Sequence, residues 1–361
     1  MGFPRSKYVL EGQEGVYHCF CRCVRRAFLY GFDPVTQIDY SHRKAWIVDR
    51  LKYLSTIFAI EVCAYAIMWN HYHTILRTRP DIAASWSDRE VAIRWLMLFP
   101  RHHGIARTET PTEEDICALV NCPKRIALLR KRLCSLSWFM GRLNEFIARA
   151  ANKEDKVKGR FWESRFKCQA LLDEAAIATC MVYVDLNLVR AGLAATPEDS
   201  DFTSIQERIR AWQYDSRAQA SAQVEGNNEI RRDALNNWDT PVDTNAALAP
   251  QPDPWLCPIA SDYKRRGILQ MSAVEYFELV DQSGRIIRSD KRGAINADIV
   301  PILIRIGAKP EAWLETISRF ESKFCLAAGL LENLRNFASQ LGRKWLKGFT
   351  IARTVFASSP L

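Results

Sequence analysis

Residues 61–77 read as two strands joined by a tight turn, and this reading constrains the chain more than any other feature of it. Residues 61–68 and 71–77 are rich in β-branched and aromatic side chains, and only Trp69 and Asn70 lie between them, which suits a hairpin. A hairpin fixes register, and register fixes faces. Side chains alternate along a strand, so His71 and His73 project from the same face of the return strand. Two imidazoles held side by side on a sheet can share one divalent metal ion. A hydrogen-bonded imidazole pair is the commoner use of such a triplet, so the triplet alone leaves both readings open.

A second segment, residues 173–192, carries complementary chemistry. Asp173 and Glu174 suit the start of a helix, where carboxylates meet the positive end of the macrodipole, and Gly192 can close it after Arg190. Tyr183 then falls mid-helix. Asn187, four residues on, shares its face. A phenol and an amide oxygen so placed can address one metal-bound substrate, although a core tyrosine on an amphipathic helix is the plainer reading of this segment by itself.

The remaining pattern supplies a scaffold. Residues 16–24 alternate and should form the first core strand, and residues 45–57 carry Trp46, Ile47, Leu51, Leu54 and Ile57 at helical spacing. Residues 79–152 read as mostly helical, with breaks near 100–104, 108–112 and Pro123. Lys124, Arg125, Arg130, Lys131 and Arg132 cluster there, as a solvated helix face or as a contact to a nucleic-acid backbone. Residues 216–254 have little apolar periodicity and read as an exposed linker. Beyond them, Ser272 and Glu275 form a capping-box pattern, and Pro310 suits the first turn of another helix.

Composition narrows the function. At 361 residues and 48% hydrophobic content the chain can bury a sizeable core, and two domains are expected. The opening residues lack the apolar run of a secretory signal, and no stretch approaches the roughly 20 uncharged residues of a membrane span. A soluble cytoplasmic protein with no membrane partner is therefore expected. The eleven cysteines show no paired C-x-x-C spacing and read as small reduced core residues rather than a zinc site. Residues 1–195 hold 29 Lys+Arg against 20 Asp+Glu, residues 196–255 hold 5 against 11, and residues 256–361 hold 16 against 10. The charge on the histidine-bearing region thus fits a phosphate-backbone partner.

Three ordered motifs give the chain a family likeness. Ala66-Ile67-Met68-Trp69-Asn70-His71-Tyr72-His73, Gly159-Arg160-Phe161-Trp162-Glu163-Ser164-Arg165-Phe166 and residues 183–192 together resemble the HUH single-tyrosine transposases, most closely the longer REP-associated tyrosine transposase branch. The resemblance covers roughly residues 10–212. It implies an α+β fold, a ferredoxin-like antiparallel sheet with helices, followed here by a small C-terminal helical domain. It also implies a bacterial, nucleoid-associated enzyme that binds single-stranded or hairpin DNA. In that family's terms His71, His73 and Asn187 would bind Mg²⁺ or Mn²⁺, and Tyr183 would attack the scissile phosphate. The products would be a 5′-phosphotyrosine and a free 3′-hydroxyl, which keeps the bond energy for strand transfer. Arg160, Arg165 and Lys167 are the candidate phosphate contacts and Arg190 a further candidate DNA-binding residue; Trp162, also a DNA-binding candidate, and Phe166 are either base-stacking platforms or core. A phenol with a pKa near 10 needs help as a nucleophile, and a cation on the phosphate supplies it.

Two residues depart from the family pattern. Leu188 stands where proline is usual and is expected to straighten the helix around Asn187; Trp69 stands where proline or a small residue is usual. The expected division is residues 1–212 for the chemistry, an acidic linker at 213–255, and a basic helical domain at 256–361 that adjusts affinity or site choice. Related enzymes work as monomers or dimers, so a homodimer stays open. Alternatives are a relaxase or replication initiator, which commonly carry the tyrosine before the histidines or carry two, and a catalytically silent DNA-binding regulator on the same fold.

Overall fold

A computed structural model describes residues 4–24, 30–34, 36–100, 102–103, 106–107, 110–215, 255–287 and 309–356. Nearly all of the expected linker therefore lies outside the described residues. Strand β1 (Gly15–Arg22) leads into helix α1 (Arg43–Ile57), and β2 (Ile60–Ile67) pairs with β3 (His71–Thr78) across the expected two-residue turn. Helices α2 (Pro80–Ser85), α3 (Asp88–Leu98), α4 (Glu113–Val120), α5 (Pro123–Leu133) and α6 (Leu136–Glu154) fill the next stretch. Strand β4 (Lys167–Leu171) returns to the sheet. It precedes α7 (Glu174–Asp185), the short α8 (Asn187–Arg190) and a helix over residues 204–215, α9.

The sheet has five strands in the order β2-β3-β1-β4-β5, where β5 (Ala327–Ala328) comes from the C-terminal region. The first four are antiparallel, but β5 pairs parallel to β4, so the sheet is mixed rather than purely antiparallel. The edge of β4 carries unpaired backbone groups, and a segment arriving from far along the chain satisfies them in whichever direction its helices leave it. Register then sorts the faces. Tyr17, Cys19, Cys21, Tyr72 and Cys168 lie on one face, which is the side of α6, since the Tyr72 hydroxyl donates to Asn144 Oδ1 at 2.7 Å. His18, Phe20, His71, His73, Lys167 and Gln169 lie on the other, toward α7. All eleven cysteines are free thiols and seven are buried, where they serve as small core residues.

The structure shows how Trp69 and Leu188 are accommodated. Trp69 is accommodated because Gly31 lacks a side chain: a Cβ there would come within 2.6 Å of the Trp69 ring. Leu188 does not straighten the tyrosine helix. The helix breaks at Leu186 (φ −90°, ψ 7°), and α8 restarts at Asn187. A backbone donor at position 188 thus does not prevent the bend. Gly192, at φ +68°, then ends α8 as expected.

Of the basic cluster on α5, Arg130 is committed to the carbonyls of Ala83 and Trp86 and to Asp88, and the Arg132 guanidinium lies 4.6 Å from the Trp138 ring. Both are structural. Lys124, Arg125 and Lys131 are exposed.

C-terminal residues are built into this core. Helices α10 (Ala273–Ile287), α11 (Pro310–Lys323), α12 (Leu331–Gln340) and α13 (Phe349–Val355) follow, opened by the expected Ser272–Glu275 capping box and Pro310. Asp173 caps α7 through Ala176 N–H and also accepts from Leu330 N–H at 2.6 Å. Asp185, fully buried at the end of α7, accepts from Ser204 and from the Tyr276 hydroxyl, each at 2.5 Å. Burial pushes its carboxyl up to about 6, against the opposing pull of these two hydrogen bonds. Replacing Tyr276 with phenylalanine leaves one carboxylate oxygen without its donor. The expected loss is about 1–3 kcal/mol in urea unfolding, and an unchanged midpoint would mean this tie contributes nothing.

Candidate active site

The site is assembled from one face of the sheet and the helix packed over it. His73 on β3 lies opposite Phe20 on β1, and His71 lies opposite Arg22. Their rings are 5.1 Å apart and nearly perpendicular. Opposite His73 on the other side is Ala66 of β2, a small residue on the face that α7 covers. Tyr183 comes down from α7 so that its ring centroid lies 5.7 Å from that of His73, edge-on. Strand alternation thus sets the two histidines side by side, and α7 brings Tyr183 against His73.

Hydrogen bonding defines what each histidine can do. His71 Nδ1 lies 2.6 Å from Asn70 Oδ1, an acceptor, so that nitrogen carries the proton and Nε2 keeps its lone pair. His73 Nδ1 lies 2.9 Å from His18 Nε2, while His73 Nε2 is buried with no hydrogen-bond partner. Burial holds all three imidazoles neutral at pH 7. His18 and His71 are lowered to about 4, and His73 lies well below its ordinary value through burial first and then His71, His18 and Arg190. Neutral imidazole is the ligating form.

Asn187, at the start of α8, is 8% exposed, and its amide nitrogen is likewise buried without a partner. Among the described residues no three His, Cys, Asp or Glu side chains gather as a metal cluster. A cation here would be held by the His71 and His73 Nε2 atoms and by Asn187, its amide turned to present oxygen, with oxygens of a bound substrate completing the set. Two bare polar groups in a buried site fit that use.

Tyr183 is 6% exposed, and its hydroxyl donates to Glu321 Oε2 of α11 at 3.3 Å. The Arg190 guanidinium lies 4.6 Å from its ring, and the Phe320 ring centroid lies 5.9 Å away. Burial raises the phenol well above its ordinary value and Glu321 adds to this, while Arg190 opposes both. Glu321 and Phe320 come from the C-terminal region, and nothing in their local sequence marks them.

The remaining candidates divide. Arg165 and Lys167 are exposed and line a groove of about 880 Å³ that runs past Phe20 and Glu321 to Lys347. Phe166 is buried beneath the Arg5 guanidinium, which lies 3.7 Å from its ring. Trp162 is anchored in the core: its indole donates to the Asn144 carbonyl at 2.8 Å, and its ring meets Tyr30, Tyr72 and Phe161. Arg160 is exposed and is not among the residues that line the groove.

Neither a protein-family profile nor a curated protein matches this sequence. A search of solved structures finds a likeness. It is to a REP-associated tyrosine transposase bound to a REP hairpin, at 13% identity and a TM-score of 0.33, covering 58% of this chain and 86% of that one.

Besides Glu321 and Phe320, sequence reasoning missed His18 and Gln169. The available signal was alternation: His18, Phe20 and Arg22 share one face of β1, but which neighbouring strands would flank them is not a local property.

Proposed function

We propose that this protein cleaves and rejoins single-stranded DNA at hairpin or repeat structures through a 5′-phosphotyrosine, as a metal-dependent HUH-type transposase. One observation carries the proposal: two neutral histidines share a sheet face, His73 Nε2 is buried without a partner, and a tyrosine from the covering helix lies against the His73 ring. The Tyr183 oxygen attacks phosphorus as the bond to the 3′-oxygen breaks. The phenolic proton leaves to an acceptor, and the released 3′-oxygen takes a proton from solvent. Mg²⁺ or Mn²⁺, when bound, would neutralise charge developing on the phosphate. Arg190, beside the tyrosine ring, favours the phenolate form.

The test is covalent capture. Full-length protein is incubated with a hairpin oligonucleotide bearing single-stranded flanks and Mn²⁺, and the expected product is a denaturation-resistant adduct that maps to Tyr183. An adduct at another residue, or none with any hairpin or single strand that binds, would sink the proposal.

The basic groove is the natural path for the flanking strand, because neutralised phosphates release counterions. The Lys347→Glu variant should therefore bind single-stranded DNA several-fold more weakly and with a shallower salt dependence. Unchanged affinity and slope would remove the groove from the DNA path.

A second reading, a DNA-binding protein whose nucleophile is held back, is favoured by one feature. The Tyr183 hydroxyl is buried and bonded to Glu321. Binding without capture of any adduct would select it.

A further inference from the structure

His18 is completely buried, lies directly opposite Gln169 across the β1–β4 pair, and reaches diagonally to His73 across the β1–β3 pair. Its Nδ1 is 3.4 Å from Gln169 Oε1, and its Nε2 is 2.9 Å from His73 Nδ1. Gln169 is itself 3% exposed, so the three groups have few other partners to choose from. The neutral imidazole has one donor and one acceptor nitrogen, which makes such a chain directional. A carbonyl oxygen can only accept. His18 must then carry its proton on Nδ1, which leaves Nε2 to accept. His73 must donate from Nδ1, which leaves its Nε2 with a lone pair. That Nε2 is the buried atom with no partner in the protein.

We propose that His18, oriented by Gln169, is a positioning residue that fixes His73 as the Nδ1–H tautomer and so holds its Nε2 lone pair ready for a divalent cation. The inference rests on the reading of His71 and His73 as cation-binding residues. It extends to His73 what Asn70 does for His71, from a different strand and through a different group. The opposite polarity, with the Gln169 amide nitrogen donating toward His18, would end in a His73 Nε2–H buried with no acceptor, which burial disfavours. It would also block ligation, since a protonated nitrogen has no lone pair. Supporting groups of this kind orient ligating histidines and set their tautomer, and their loss typically weakens metal binding about 10–100-fold.

Two measurements on the full-length protein test this. Long-range ¹H–¹⁵N correlation spectra of histidine-labelled, metal-free protein should show His73 as the Nδ1–H tautomer in the wild type. The His18→Gln variant should preserve it, because an amide oxygen can still accept. The His18→Phe variant should shift it toward Nε2–H or a mixture. In parallel, titration with Mn²⁺ alone, read by the electron paramagnetic resonance of free Mn²⁺, should show about 10–100-fold weaker binding for His18→Phe and at most a few-fold change for His18→Gln. Should His18→Phe fail to fold by circular dichroism, Gln169→Leu, which removes only the far acceptor, should weaken Mn²⁺ binding in the same direction. Gln169→Glu, which keeps an acceptor, should not. A wild-type His73 in the Nε2–H form overturns the proposal, as does Mn²⁺ affinity indifferent to position 18. A wild type that binds no Mn²⁺ overturns the cation reading instead, and the tautomer spectra then decide the role of His18 alone.

Discussion

Phenylalanine at position 183 is expected to abolish covalent capture of a cleaved hairpin while leaving DNA affinity within a few-fold of wild type. The substitution deletes one oxygen and keeps the ring that packs against His73, His18 and Phe320. The fold should tolerate it, since the lost hydroxyl bonds to the side chains of Glu321, at 3.3 Å, and Arg190 rather than to buried backbone. Glu321 is only partly buried and can turn to water. Removing the nucleophile of a covalent mechanism costs about 10⁴-fold in rate or more, so the adduct should fall below detection. Gel mobility with a labelled hairpin reads binding, and denaturing electrophoresis reads the adduct. An adduct of undiminished yield in this variant would place the nucleophile elsewhere, and the whole site assignment would go with it.

Alanine at His73, and separately at His71, should remove cleavage by about 10³-fold or more, since stabilising charge on a phosphate is worth several kcal/mol. Chelation with EDTA should do the same to the wild type, and added Mg²⁺ or Mn²⁺ should restore it. The two alanine variants should differ in one respect. His73 is 1% exposed and bonded to His18, so its removal leaves a cavity and an unpaired His18 nitrogen. The exposed side of His71 lets water fill the gap. Thermal unfolding should therefore register His73→Ala more strongly than His71→Ala. Full cleavage activity in EDTA would remove the metal role from this site.

How much of the site could be read from the chain follows from the range of each signal. The His71–His73 pair was legible because alternation along a strand is a property of consecutive residues. Tyr183 and Asn187 were legible as a spaced pair for the equivalent helical reason. Their separation into two helices at Leu186 was not, because the residue types give no sign of the break. Trp162 shows the opposite case. Its place in a basic aromatic segment left core packing and a stacking surface equally open; the indole has an acceptor in Asn144, which lies on α6, and the choice between core and platform depends on that distant partner.

The sequence by itself determined the β2–β3 hairpin, its register from the turn as far as Ala64, the face from which both histidines project and the helix that carries Tyr183. Periods of about two and 3.6 residues are enforced by the backbone wherever these elements form. Only the tertiary structure decided what surrounds those groups. His18 and Gln169 reach His73 because β1 lies between β3 and β4. Glu321 reaches the Tyr183 hydroxyl from 138 residues away, and Tyr276 reaches Asp185 from 91. A fifth strand joins the sheet in parallel from residues 327–328. No local pattern encodes such contacts. They exist because burying the apolar faces of the C-terminal helices and satisfying the open edge of β4 have one joint solution, and that solution sets C-terminal side chains against Tyr183.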